Sequence, residues 1–216
     1  MNAIFVTGST GYIGRPLVEA LLARGHVVHA LARAGSEAAV PEGAVRAIGN
    51  ALDAATFTGA VPPRATVVHL VGTPHPNPAR AAEFQRVDLA SIRATVEAAG
   101  RAGAAHLVYV SVAHPAPVME AYIAARLEGE SLVRASGIRA TILRPWYVLG
   151  PGHRWPYLLV PVYAVLGWLP STRDGAERLG LVTRREMIAA LVAAVEAPAG
   201  DGLRIMNVPD IRRARA

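Results

Sequence analysis

Gly8-Ser9-Thr10-Gly11-Tyr12-Ile13-Gly14 lies between two patterns of different periodicity near the amino end of the chain. The residues before it, Ile4–Thr7, are a short apolar run that predicts a buried strand. The residues from Tyr12 to Arg24 place their apolar side chains on one face of a helix. A glycine-rich turn between a strand and a helix is typical of α/β proteins that bind a dinucleotide.

Each glycine of this turn has a physical reason. Gly8 permits the tight turn, Gly11 lets the backbone approach a pyrophosphate, and Gly14 lets the helix pack closely on the strand. The amino end of the helix attracts the anion. A glycine-rich turn without a ligand has the same composition, but the strand–turn–helix context favours the binding interpretation.

Strand and helix patterns alternate along the rest of the chain. The predicted strands are His26–Ala32, Ala44–Ile48, Ala65–Val71, Ala105–Ser111, Ile138–Arg144, Leu179–Val182 and Leu203–Val208. The predicted helices are Ala79–Arg101, Val118–Ala135 and a segment that runs from a capping box at Thr183 and Glu186 to Ala197. This order predicts an α/β fold with a doubly wound parallel sheet, a Rossmann fold, covered by helices on both faces.

The composition excludes several classes of chemistry. The chain has 216 residues, of which 52% are hydrophobic, so it can bury a core and is not disordered. It has no cysteine, which excludes disulfides and thiol catalysis. All 22 basic residues are arginine, which excludes a P-loop lysine and a Schiff-base lysine. These arginines are scattered despite a net charge of +6, so we expect no nucleic-acid partner.

Two apolar segments bear on localisation. Met1–Val6 has no basic region before it, so we expect no signal peptide. Trp155–Pro170 is apolar but shorter than the roughly 20 residues of a membrane span. We expect it to pack on the domain or cover a substrate pocket; a peripheral membrane contact is the alternative. The expected location is the cytoplasm, and the sequence makes no prediction of oligomeric state.

The end of the second predicted strand addresses the choice of nucleotide. An acidic residue there would bind a ribose 2′-hydroxyl, but the chain has Ala32-Arg33 and no carboxylate before Glu37. Arg33 and Arg15 offer guanidinium groups that suit a 2′-phosphate. This favours NADP over NAD, unless both arginines are solvated surface groups.

Six segments in order carry a family resemblance. They are TGSTGYIG (7–14), HVVHALAR (26–33), GNALD (49–53), VVHLVG (67–72), LVYVS (107–111) and TILRPWYVLGPG (141–152). The chain resembles the extended or atypical short-chain dehydrogenase/reductase superfamily, close to its NmrA-like and NAD(P)H-binding members. The resemblance implies an NAD(P)-binding Rossmann domain over residues 1–150. It also implies that residues 151–216 complete the substrate pocket with helices and short strands, without forming an independent domain.

The same resemblance implies where the cofactor contacts lie. The segment around Asn50 lies near the adenine, the segment around Gly72 near the ribose and nicotinamide, and the Arg-Pro turn borders the nicotinamide. The predicted cofactor-binding residues are Gly8, Thr10, Gly11, Tyr12, Ile13, Gly14, Arg15, Arg33, Asn50, Ala51, Leu52, Val71, Gly72, Thr73, Pro145 and Val148.

The superfamily's catalytic group is a serine, a tyrosine and a lysine four residues after the tyrosine. Ser111 follows the fifth predicted strand, and Tyr122 is followed by Arg126 in the lysine position. Residues four apart share one helix face, so the phenol and guanidinium can point together. Tyrosine has a pKa of about 10 and needs a nearby cation to act as acid or base near neutrality. Arg126 supplies a charge but cannot relay a proton; alternatively, Tyr122 and Arg126 form an ordinary surface pair.

The remaining polar candidates receive structural interpretations. His69 lies in a predicted strand and is expected to be buried. His75, His114 and His153 lie in proline-rich loops where all three could line the cleft, but they lack metal-ligand spacing, so we expect no metal. His114, three positions after Ser111, either contacts the substrate or is an exposed loop histidine, and we favour the second interpretation. Asp88 stands near the position where extended members often have an asparagine, and it is interpreted as either a departure in a proton relay or a plain helix residue.

Two functions therefore remain open. The first is an NADP-dependent oxidoreductase that acts on a small, rather apolar carbonyl or hydroxyl compound, with Tyr122 as acid or base. The second is a non-catalytic NAD(P)-binding redox sensor or accessory protein of the NmrA-like kind, and a variant of it places the apolar segment on a membrane surface.

Overall fold

The computed structural model describes residues 2–73, 77–116, 118–151, 175, 178–198, 200 and 202–215. Its strands are β1 Ala3–Thr7, β2 Val27–Ala32, β3 Val45–Ile48, β4 Thr66–His69, β5 His106–Val110, β6 Ala140–Arg144, β7 Tyr147–Leu149, β8 Leu181–Thr183 and β9 Leu203–Asn207. Its α-helices are α1 Gly14–Ala23, α2 Ala81–Glu83, α3 Ala90–Arg101, α4 Glu120–Ala135, α5 Arg184–Glu196 and α6 Val208–Arg213.

Seven of these strands form one parallel sheet in the order β3-β2-β1-β4-β5-β6-β9. The remaining two, β7 and β8, pair with each other in parallel. The order reverses between β1 and β4, because chain-adjacent strands run outward from β1 on one side and from β4 on the other. The carboxyl ends of strands at such a reversal form the usual ligand crevice of doubly wound folds.

Helices cover both faces of the sheet, as the predicted fold class requires. Successive side chains of a strand point to opposite faces. Ile4 and Val6 of β1 therefore join a core built with α1, α5 and α6, whereas Phe5 joins a second core built with α3 and α4. The predicted α/β fold with a doubly wound parallel sheet is confirmed.

The predicted helix Ala79–Arg101 has a more complex form. It begins as a 3₁₀ turn at Pro78–Arg80 and contains a π-helical segment, Phe84–Leu89, between α2 and α3. A π-helix holds extra residues per turn and is often found at functional sites. The segment carries Asp88 into the protein interior.

The carboxyl-terminal residues differ from expectation in two places. β7 was not predicted, and its Val148 pairs with Val182 of β8. After β9 the chain forms α6, which Asn207 and Asp210 begin with a reciprocal capping box. Within the described residues, no helix is both long enough and apolar enough to cross a membrane.

Candidate functional site

The glycine turn has the close contacts that the sequence predicts. Gly8 has a φ of 71°, and a Cβ there would lie 2.9 Å from the Leu70 carbonyl carbon. A Cβ at Gly14 would overlap the Gly8 carbonyl oxygen. Both positions therefore exclude any larger residue, and they bring α1 directly onto the end of β1.

The amino end of α1 fits an anion. No side chain caps it at Ile13, and its first turn holds no acidic residue. Gly11 is exposed at the turn, and the buried Ser9 hydroxyl fixes the turn to β2 by donating to the Leu31 carbonyl at 2.8 Å. The N–H groups at the amino end of a helix that follows a glycine turn match the pyrophosphate of a dinucleotide.

The other predicted cofactor residues lie beyond the carboxyl ends of their strands. Asn50, Ala51 and Leu52 follow β3, where the Asn50 Oδ1 accepts a hydrogen bond from the Leu52 amide at 3.1 Å. Val71, Gly72 and Thr73 follow β4, and Pro145 follows β6. The fold therefore places these segments along one edge of the sheet.

The two arginines proposed for nucleotide choice differ in their surroundings. Arg15 pairs with Glu19 on the same helix at 3.2 Å. Arg33 lies exposed directly after β2. Arg33 is therefore the better placed of the two to reach a group at the end of β2.

One face of α4 carries the catalytic candidates. Tyr122, Arg126 and Glu130 follow one another at intervals of four residues, so they form a stripe along the helix. Tyr122 is half-buried, and its ring contacts the Phe84 ring edge-on with centroids 5.1 Å apart. The Arg126 guanidinium carbon lies 5.2 Å from the centre of the Tyr122 ring.

Arg126 is not a surface residue. Its side chain is 7% exposed, and its Nη2 forms an ion pair with the fully buried Asp88 at 2.7 Å. Its Nη1 donates to the carbonyl oxygens of Val110 at 3.0 Å and Val71 at 3.5 Å, so it joins the ends of β5 and β4. Burial lowers the pKa of Arg126, but Tyr122, Tyr109 and Asp88 raise it more, so the guanidinium stays charged. The interpretation of Tyr122 and Arg126 as a surface pair is wrong.

Asp88 also fixes the predicted ribose-binding segment. Its Oδ2 accepts hydrogen bonds from the Thr73 amide at 3.0 Å and from the Thr73 hydroxyl at 2.5 Å. A Cβ on Gly72 would overlap the Arg126 Nη2. Asp88 is therefore a buried helix residue whose carboxylate organises Arg126 and Thr73 together, and a part in a proton relay stays a prediction.

A second buried ion pair lies one turn further along α4. Arg144, at the end of β6, donates from Nε to the Glu130 Oε1 at 2.8 Å and from Nη2 to Oε2. Burial raises the pKa of Glu130, but Arg144, Ser111 and His114 together lower it more, so the pKa lies below its ordinary value. The Ser111 hydroxyl lies near this carboxylate, although the contact lacks hydrogen-bond geometry.

His69 and Tyr109 lie beneath the Asp88–Arg126 pair. His69 is fully buried, and its Nδ1 hydrogen-bonds with the Thr7 and Thr95 hydroxyls, both at 2.9 Å. Burial, and then the charge of Arg126, lower its pKa to about 3, so it is neutral. Burial raises the pKa of Tyr109 to about 12. The prediction that His69 is a buried structural residue is confirmed.

His114 corrects the sequence interpretation. It is half-buried rather than exposed, and Arg144 and Glu130 both act on its charge. His75, His153 and the apolar segment 155–170 lie outside the described residues. Among the described residues, no cluster of histidine and carboxylate side chains could hold a metal ion.

A cavity of about 390 Å³ lies beside Tyr122. Its lining is largely apolar and comprises Pro78, Phe84, Val118, Met119, Glu120, Ala121 and Tyr122. The phenol therefore borders a space that an apolar molecule can enter.

The comparison with known families decides the identification. Residues 8–157, which include the glycine turn and the α4 stripe, match the NAD(P)H-binding family. The chain belongs to this family. Its predicted membership of the extended or atypical short-chain dehydrogenase/reductase superfamily is confirmed, and its curated relatives include reductases.

Two curated relatives are reductases. The chain is 30% identical to a ceramide reductase of Caulobacter vibrioides, with 98% of this chain and 66% of the relative covered. It is 33% identical to a 3-diazoavenalumate denitrifying reductase of a Streptomyces species, with 94% and 75% covered. The chain thus spans slightly less than two thirds of the length of the ceramide reductase.

The fold also matches solved structures. A short-chain dehydrogenase/reductase superfamily protein from Agrobacterium tumefaciens with bound NAD superposes with a TM-score of 0.69. The two sequences are 21% identical, and the match covers 95% of this chain and 77% of the other. At this identity, the likeness concerns the fold.

Proposed function

We propose that the protein is an NADP(H)-dependent oxidoreductase of a small, rather apolar carbonyl or hydroxyl compound, with Tyr122 as acid or base. The observation that carries this proposal is the packing of Tyr122 on the Arg126 guanidinium, beside an apolar cavity. Reductase relatives support the reaction class. The bound nucleotide supplies or accepts the hydride.

Tyr122, Ser111 and Arg126 have separate roles in the proposed reaction. Tyr122 gives a proton to the substrate oxygen during reduction, or takes it during oxidation. Ser111 orients that oxygen by a hydrogen bond. Arg126 places a fixed positive charge beside the Tyr122 ring, without exchanging a proton itself.

The nucleotide would lie along the carboxyl edge of the sheet. The glycine turn and the amino end of α1 would hold the pyrophosphate, Asn50–Leu52 the adenine, and Val71–Thr73 with Pro145 and Val148 the nicotinamide side. The Asp88–Arg126 pair fixes the backbone of the segment that follows β4. The chain thus presents a rigid surface to the cofactor.

The catalytic assignment has a direct test. We expect Tyr122→Phe to lower NADPH-dependent reduction of an aldehyde and ketone panel by about a hundredfold or more. The dissociation constant for NADPH, measured by fluorescence, should stay within about twofold. Unchanged turnover in the variant would remove Tyr122 from the chemistry. Absence of turnover in the unaltered protein across the panel would instead support the non-catalytic sensor.

The preference for NADP rests on Arg33, which lies exposed after β2, where no carboxylate can take a ribose hydroxyl. We expect NADPH to bind more tightly than NADH. Arg33→Ala should weaken NADPH by about tenfold and leave NADH nearly unchanged. Arg15→Ala is the matched control and should have a smaller effect, because Glu19 already pairs with Arg15. Tighter binding of NADH by the unaltered protein would overturn the preference.

A further inference from the structure

Two polar atoms near the end of β5 lack partners. Ser111 Oγ and His114 Nε2 are both buried, and within the described part of the chain neither has a partner in hydrogen-bond geometry, although Ser111 Oγ lies near the Glu130 carboxylate. Buried polar atoms are rarely left unsatisfied, and those that are need an explanation. Three residues separate them in the sequence, and both act on the same Glu130 carboxylate, so they belong to one region.

The backbone that carries these atoms is fixed on several sides. The Ser111 and Ala113 amides donate to the carbonyl oxygens of Leu143 and Pro145, both at 2.8 Å, so the segment continues alongside the end of β6. The Arg178 Nε donates to the Pro115 carbonyl at 3.2 Å. Groups held in this way are preorganised for a ligand.

The charges around His114 keep it neutral. Burial lowers its pKa, Arg144 and Arg178 lower it further, and Glu130 raises it. Since Arg144 and Glu130 pair with each other, their charges largely offset each other. A neutral imidazole has one N–H, so Nε2 can donate a hydrogen bond without adding charge.

We propose that His114 is a second substrate-contacting residue, whose Nε2 and the Ser111 hydroxyl together donate to one oxygen of the substrate. The inference rests on the proposed oxidoreductase function, and it names the group that this site recognises: the uncharged oxygen of a carbonyl or alcohol. The ligand satisfies both buried atoms at once, and the Glu130–Arg144 pair holds them in place.

A matched pair of variants separates hydrogen bonding from packing. His114→Gln places an amide nitrogen near the position of Nε2, whereas His114→Phe keeps a ring and loses the donor. We expect His114→Phe to lower kcat/KM for octanal, cyclohexanone or acetophenone by about tenfold or more. The kcat/KM of His114→Gln should stay within about threefold of that of the unaltered protein. The NADPH dissociation constant should not change in either variant. His29→Gln, in the middle of β2, is the control and should behave as the unaltered protein.

A double-mutant cycle tests whether the two donors share one oxygen. If they do, Ser111→Ala combined with His114→Phe should lose clearly less than the product of the two single losses. If His114→Phe keeps its activity and His114→Gln loses it, His114 has a packing role and the proposal is overturned. Normal activity in both variants would also overturn it. Multiplicative losses would overturn the shared oxygen. If the unaltered protein reduces no carbonyl in the panel, the oxidoreductase proposal fails, and this inference fails with it.

Discussion

Two buried ion pairs of opposite polarity, one helical turn apart, link helix α4 to its neighbours, the π-helical segment and strand β6. In the first, α4 supplies the cation, Arg126, and the π-helical segment supplies Asp88. In the second, α4 supplies the anion, Glu130, and β6 supplies Arg144. The first pair lies between the ends of β4 and β5, and the second between the ends of β5 and β6.

The two pairs differ in what else they hold. Besides their ion pair, Arg126 donates to the Val110 carbonyl oxygen and Asp88 accepts from the Thr73 amide, beside the predicted cofactor contacts. Glu130 and Arg144 bind each other through two hydrogen bonds and lie beside Ser111 and His114. Under the proposed function, the first pair organises the cofactor side of the cleft, and the second the substrate side. The first pair is also the more deeply buried, which predicts the larger cost when it is broken.

The strongest test of this difference is Asp88→Asn. The amide still accepts from Thr73, but it leaves the buried Arg126 without a counter-charge. We expect a loss of about 3–5 kcal/mol in the free energy of unfolding, measured by urea denaturation. NADPH affinity should also fall, because Val71–Thr73 loses its support.

The matched control removes both charges. Asp88→Asn combined with Arg126→Gln leaves no buried unpaired ion, so it should be more stable than Asp88→Asn alone. A cost below about 1 kcal/mol for the single variant would contradict the buried pair.

Glu130→Gln applies the same change to the second pair. The Arg144 side chain is 15% exposed and can recover some hydration, so we expect a smaller loss of about 2 kcal/mol in urea denaturation. The functional effect should fall on KM for the carbonyl substrate rather than on NADPH affinity. A larger destabilisation than in Asp88→Asn would reverse the comparison.

The last test concerns the pH dependence of stability that His69, buried beneath the first pair, contributes. Because the pKa of His69 is lowered to about 3 in the folded protein, the unfolded chain binds this proton more readily. The contribution of His69 to the free energy of unfolding is fully present above a pH of about 6.5, and it falls by about 1.4 kcal/mol per pH unit as the pH drops toward 3.

Urea unfolding between pH 7 and 5 measures this slope. His106, whose pKa burial and nearby arginines lower to about 4, contributes a similar slope of its own. His69→Gln should therefore remove about half of the dependence contributed by these two buried histidines. An unchanged slope in the variant would show that His69 is protonated, or accessible, in the folded state.

Local patterns in the sequence were sufficient for the order of the elements and for the glycine turn. The turn is local because Gly8 and Gly14 contact each other across six residues, so their spacing carries the information. The stripe of Tyr122 and Arg126 was also predictable, since helical periodicity places them on one face. Glu130 continues the same stripe, since the four-residue interval from Arg126 places it on the same face of α4.

The partners of these residues were not predictable in the same way. Asp88 lies 38 positions before Arg126, and it reaches the guanidinium because a π-helical segment turns it inward. Arg144 meets Glu130 because β6 and α4 pack together in the fold. The position of His114 three residues after Ser111 suggests a substrate contact, but the sequence favours an exposed loop histidine, and only the fold shows the side chain half-buried.

The sequence by itself therefore determined the doubly wound fold, the glycine turn between β1 and α1, and the face on which Tyr122 and Arg126 lie. Tertiary structure alone decided that Arg126 is buried against Asp88, that Glu130 is paired with Arg144, and that His114 lies with Ser111. The physical reason is the distance along the sequence over which each interaction acts. Periodicity and turn geometry act over a few residues, whereas the partner of a buried charge is set by which strand ends the sheet brings together.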